Sequence, residues 1–159
     1  MKYQTKAGII LTGSSLFYTS GEGLFLDIFA EVKFRRRVLP ILKAAYQKQY
    51  LLFLVLNAPE VFDGFYDITA LHNFFEAVQD FLLDEGIRFV QIYYETNIIS
   101  KRALPNATML REILYDFQLN KYELLVVGHD KIDHIAAESA LMTSVTDTDF
   151  FNTIPPVRT

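Results

Sequence analysis

The chemistry this chain can offer is concentrated in two short polar runs, each following directly on an apolar one. In Ala7-Gly-Ile-Ile-Leu-Thr-Gly-Ser-Ser-Leu-Phe17, Thr12, Gly13, Ser14 and Ser15 form a loop whose backbone N–H groups and hydroxyls could cradle a phosphate-sized anion. In Gly128-His-Asp-Lys-Ile-Asp133, the carboxylates of Asp130 and Asp133 could keep a cation or ligand contact. Each run also has an economical structural reading. The first is a strand-to-loop turn whose small residues permit tight geometry, and it carries no acid, base or strong nucleophile. The second is a helix start with Asp130 as N-cap and Asp133 in the first turn, satisfied without a ligand. His129 and His134 have no metal-ligand spacing with other donors and read as ordinary polar residues.

The elements that must position these runs follow from the apolar pattern. Ile9 to Leu11, Tyr50 to Leu56 and Glu123 to Val127 show no polar alternation, which suits strands covered on both faces, and Ile87 to Tyr94 is a further strand. Between them, Val38, Leu42, Ala45 and Tyr46 follow helical spacing with Pro40 in the first turn. Leu71, Phe74, Phe75, Val78, Phe81 and Leu82 mark a second helix. A third is expected from an Asn106 N-cap through Phe117, and an alanine-rich fourth from Lys131 to Met142. Tyr18 to Gly23 with Leu24 to Phe29 suggests a hairpin-like flap. The tail from Thr143 to Thr159 is expected to dock by Phe150 and Phe151 before it frays. Strands separated by helices imply one three-layer α/β domain over residues 1–159 with a central parallel sheet, its core at about 7–142. In such sheets, sites sit beyond the carboxyl ends of the strands.

Composition narrows the function classes. At 159 residues and 51% hydrophobic, the chain can bury one substantial core. A net charge of −4 gives no broad positive field for nucleic acid or an anionic membrane. With no cysteine there is no disulfide, thiolate nucleophile or cysteine–zinc site, which fits a cytoplasmic setting. No targeting segment is read at the N-terminus, and no apolar run approaches the roughly 20 residues of a membrane span.

The order and spacing of these pieces resemble the haloacid dehalogenase (HAD) superfamily, and within it the small histidinol-phosphate and heptose-bisphosphate phosphatases, over roughly residues 7–142. Ile9 to Leu16 is similar to that family's strand followed by Asp-x-Asp-Gly-Thr-Leu. Tyr50 to Asn57 resembles its strand and Thr-Asn motif, Ala103 to Leu110 its Arg-Lys-Pro segment, and Val126 to Asp133 its Gly-Asp-x-x-x-Asp motif. The resemblance implies a Rossmann-like HAD fold with little or no cap domain. It also implies a lost centre. Leu11 stands where the family has its nucleophilic, magnesium-binding aspartate, and Gly13 where it has its general acid. Leu56 replaces the phosphate-binding threonine beside a matching Asn57. The lysine position is Leu104, with Lys101 and Arg102 nearby but out of register. Of the magnesium-binding acidic pair, His129 holds the first place and Asp133 the second. The zinc loop is missing, since Glu95 to Leu104 has no Cys or His. A one-residue slip would offer Thr12 as nucleophile, still without a base.

The resemblance thus implies a pseudophosphatase, catalytically inactive and acting as a binding or protein-interaction module, with no cofactor expected. The alternative is a divergent phosphatase on a small phosphorylated metabolite, with magnesium, needing a carboxylate brought to the first strand from Asp27, Asp63 or Asp67. Ligand-pocket candidates are Thr12, Gly13, Ser14, Ser15, Asn57, His129, Asp130 and Asp133. For a protein partner or a second copy, the candidate surfaces are the basic cluster Arg35, Arg36 and Arg37 and the aromatic loop Phe62, Phe65 and Tyr66. No nucleic-acid or membrane partner is expected.

Overall fold

The unalternated apolar runs become the middle of a five-stranded sheet. The computed structural model describes residues 8–17, 34–64 and 67–153, with the side chains of all but 60, 62 and 151–153. The strands are β1 (Gly8–Thr12), β2 (Leu51–Asn57), β3 (Gln91–Glu95), β4 (Leu124–Gly128) and β5 (Thr143–Thr146). They are all parallel, in the order β3-β2-β1-β4-β5. The architecture is the three-layer Rossmann-like α/β fold expected.

Within the apolar runs, alternate residues serve opposite layers. Ile9, Leu11, Leu54 and Leu56 pack with Leu42, Phe74 and Val78, from α2 (Leu39–Gln47) and α4 (Ile68–Asp84). Ile10, Phe53 and Val55 pack with Leu110, Ile113 and Ala136, from α5 (Thr108–Phe117) and α6 (Lys131–Ser139). Both faces are covered, and Ile9 to Leu11 and Leu52 to Leu56 are buried and apolar at every position. Two single-turn helices, α1 (Gly13–Leu16) and α3 (Pro59–Phe62), follow β1 and β2.

The expected flap lies outside the described residues. Phe17 and Phe34 form an antiparallel bridge with their rings 5.2 Å apart, and the Arg35 N–H donates to the Leu16 carbonyl at 2.8 Å. A 3-10 turn, Arg36–Val38, then leads into α2, with Pro40 in its first turn.

Several boundaries differ from the sequence reading, and the helix expected to reach Met142 ends at Ser139. The third expected helix begins later: Ala107 holds the cap of α5, while the Asn106 amide donates to the Ala103 carbonyl at 3.0 Å. Strand β3 starts at Gln91, with Ile87 and Phe89 buried in the approach to it. The tail contributes β5 and a final helix, α7 (Asp147–Thr153). Thr143-Ser-Val-Thr146 has no apolar run to announce a strand, because β5 is an edge strand that leaves part of each face to solvent. Phe150 docks as expected: it is fully buried in the core layer of Leu11 and Leu42, and α7 packs on β4, β5 and the Arg36–Val38 turn. Among the described residues, no helix is long and apolar enough to cross a membrane.

If α7 is part of the fold, Phe150→Ala should cost about 3–5 kcal/mol, as for a buried aromatic. Urea denaturation measures this, and a loss under about 1 kcal/mol would mean a loosely attached tail.

Candidate functional site

All five strands point the same way, so their carboxyl ends gather Thr12, Asn57, Glu95, Gly128 and Thr146 along one edge. At the centre of that edge lies Asp133, in the first turn of α6 and only 2% exposed. One of its oxygens, Oδ2, accepts from the Thr12 hydroxyl at 2.7 Å and the Ser14 hydroxyl at 2.7 Å. The same oxygen accepts from the backbone N–H groups of His129 and Asp130, both at 3.2 Å. This close approach requires Gly128, since a Cβ there would lie 2.6 Å from the Cβ of Asp133.

This network determines what the first loop can bind. The hydroxyl protons of Thr12 and Ser14 are committed to Asp133, and the Ser15 hydroxyl donates back to the Thr12 carbonyl at 2.8 Å. None of the three is left pointing outward as a donor for phosphate. An acceptor-only carboxylate beneath the loop adds a negative charge that opposes an anion. Magnesium fits no better. It takes an octahedron of hard oxygens, whereas the carboxylate oxygen here is already shared among four donors, and no cluster of three His, Asp or Glu suited to a metal occurs among the described residues.

The residues at the family's reactive positions are occupied in packing. Leu11 is 0% exposed, in the core layer with Leu16, Phe17, Leu56 and Val127. Gly13 lies against β2 so closely that a Cβ on it would stand 2.9 Å from the Leu56 Cβ. Any side chain at 13 therefore requires the loop or Leu56 to shift.

Asn57 is drawn away from the Asp133 cluster. Its amide pairs twice with the backbone of Leu104, donating to the carbonyl at 3.0 Å and accepting from the N–H at 3.0 Å. That pairing ties β2 to the segment before α5. Arg102 braces the same segment through both oxygens of Glu112, at 2.7 and 3.0 Å, and through the Tyr94 carbonyl, with Glu95 at 3.8 Å. Hydrogen bonding to Glu112 raises the Arg102 pKa further. Burial, with a 2.7 Å hydrogen bond to Asp116, holds the Tyr93 phenol well above its ordinary value. Lys101 is exposed beside this brace.

One reactive-looking group remains at the edge. The His129 Nδ1 is 2.9 Å from Asp147 Oδ1, with the imidazole 42% exposed. Asp147 carries no signal in the sequence reading, because β5 and α7 were not read there. Of the other carboxylates considered, Asp67 caps α4 by accepting from the Ala70 N–H at 2.8 Å, Asp63 is exposed, and Asp27 lies outside the described residues. The Arg35 Nε donates to the Ser14 carbonyl at 2.7 Å, so this arginine belongs to the loop, while Arg36 and Arg37 are exposed. Phe65, Tyr66 and the Phe62 side chain lie outside the described residues.

No protein-family model and no curated protein matches this sequence. Solved structures do match the fold. A Mesorhizobium loti protein assigned as a HAD-like phosphatase superposes with a TM-score of 0.81 at 16% identity, over 94% of this chain and 84% of its own. The D,D-heptose 1,7-bisphosphate phosphatase of B. bronchiseptica, solved with magnesium and phosphate, gives 0.75 at 17% identity, over 87% of this chain and 78% of its own. A Listeria monocytogenes serotype 4b protein gives 0.61 at 18% identity, over 88% and 77%. The chain therefore has the fold of HAD-like phosphatases.

Asp133→Ala should destabilise the fold by about 2–4 kcal/mol, because it strands two hydroxyls and two backbone N–H groups at a buried point. Thermal and chemical denaturation measure this. A change under about 0.5 kcal/mol would make the network incidental to the fold.

Proposed function

We propose that this chain is a HAD-like pseudophosphatase: a phosphatase fold that does not hydrolyse phosphate esters and acts by binding. The observation that carries this reading is the closure of the first loop onto β2. Closure leaves no room for a Cβ at Gly13, where the general acid would stand, and Leu11 is sealed in the core in place of the nucleophile. Leucine has no lone pair to attack phosphorus, and glycine has no proton to give a leaving group. With no metal-dependent step to serve, the protein needs no magnesium. Its activity is then carried by its outer surface, where the exposed Arg36 and Arg37 suit an acidic protein partner.

A second reading rests on the His129–Asp147 pair. A carboxylate on Nδ1 orients an imidazole and leaves Nε2 to act as a base, so a divergent phosphatase would place its chemistry there.

Purified protein should hydrolyse p-nitrophenyl phosphate in magnesium no faster than a buffer control. Losing a general acid alone removes about 10²–10⁴ in rate. Turnover that copurifies with the protein and disappears in His129→Gln would favour the second reading. That half-exposed residue is a better probe than Asp133, whose loss disturbs the fold. For the binding role, Arg36→Glu should lose captured acidic proteins in a pull-down, and an unchanged set would exclude this surface.

A further inference from the structure

The two edges of the sheet are finished differently. On β3, Arg102 donates to the Tyr94 carbonyl and pairs with Glu95 and Glu112, so charged side chains guard that edge. On β5, Thr143-Ser-Val-Thr146 carries no charge, no proline and no glycine, and β-branched residues fill three of its four positions. It pairs with β4 on one side, and among the described residues no strand pairs with its other side. Leu141, at the entry to β5, is 69% exposed and has a left-handed φ of 59°.

The helix above this edge has matching polarity. As the crossover from β4 to its parallel neighbour β5, α6 runs back against the strands, with Lys131 near the carboxyl edge and Glu138 near the amino edge. These two exposed residues are two turns apart, so they share a face, and exposed Ile135 lies on that face between them.

We propose that this edge takes a second copy of the chain, with β5 pairing antiparallel to its two-fold mate and α6 lying beside the mate's α6. A two-fold axis perpendicular to the sheet keeps both helices on one face and turns one end for end. Each Lys131 then meets the other copy's Glu138 across the flank of the helix pair. Strands about 4.8 Å apart place helices above them near the usual packing separation of about 8–10 Å. A two-fold axis lying along the strands would instead pair β5 parallel to β5 and put the two α6 helices on opposite faces of the sheet, leaving Lys131 and Glu138 without these partners. The ion pairs thus favour the antiparallel arrangement. Asp147, at the far end of β5, is held by His129 within its own chain.

The inference deepens the binding-module reading by naming a second copy as one partner, and it makes no use of the Arg36 and Arg37 surface. A four-residue strand with one helix face is a small interface, so the expected dissociation constant is in the micromolar range, rising with salt as the ion pairs are screened.

Sedimentation velocity on the full chain from about 1 to 500 μM tests it. Wild type should pass from monomer to dimer across that range. Glu138→Lys should weaken dimerisation by at least about tenfold, as lysines then face each other, and the double variant Lys131→Glu/Glu138→Lys should recover to within about threefold of wild type. Thr143→Lys should weaken it independently, by adding the charge this edge lacks. A monomer at every concentration overturns the proposal. So does a dimer that both single variants leave unchanged. The phosphatase assay separates this inference from the reading it rests on: turnover by an intact dimer contradicts the inactive reading alone, and an inert monomer contradicts the dimer alone.

Discussion

The carboxyl edge of this sheet depends on one buried oxygen. Asp133 Oδ2 gathers Thr12 from the end of β1, Ser14 from the loop after it, and the N–H groups of His129 and Asp130 at the start of α6. A buried carboxylate is expensive unless fully hydrogen-bonded, and each of these donors would be costly to bury alone. The arrangement is therefore mutually enforced. It explains Gly128, which must lack a side chain for Asp133 to approach; on the other side of β1, toward β2, Gly13 lies so close to Leu56 that a Cβ there would crowd it.

The packing of the first loop against β2 couples the residues at these positions. Leu11, Gly13 and Leu56 are not independent changes. Leu11 and Leu56 belong to one buried layer, and the Gly13 backbone lies against the Leu56 Cβ. Placing aspartates at 11 and 13 would put one carboxylate in an apolar core and the other into β2. On the proposed inactive reading, restoring activity would take more than one substitution, because Leu11 and Leu56 share one buried apolar layer and Gly13 lies against it.

The fold was largely legible in the sequence because its strongest signals are local. The unbroken apolar runs at Ile9, Leu52 and Leu124 require strands covered on both sides, and the resulting sheet puts Leu11, Asn57 and Gly128 at one end as the family resemblance implied. Strand β5 was illegible for the converse reason: an edge strand needs little apolar surface, and Thr-Ser-Val-Thr reads as loop. The site was legible only in part. The Asp130-x-x-Asp133 spacing announces a helix start, and Asp130 does stand at the cap. Nothing local announces that the Asp133 carboxylate also holds Thr12, 121 positions away, or that Asn57 is tied to Leu104, 47 positions away. Such pairs follow from strand order, which periodicity does not encode. Asp147, the partner of His129, was hidden with β5.

The central claim is that the carboxyl edge is closed on itself rather than waiting for ligand. A crystal structure determined after soaking in high magnesium and phosphate tests this most directly. The account predicts no ion at the first loop, with the Thr12 and Ser14 hydroxyls still on Asp133 and Leu11 still buried. Phosphate on the Thr12–Ser15 loop, or magnesium bound to Asp133 with Ser14 displaced, would contradict it.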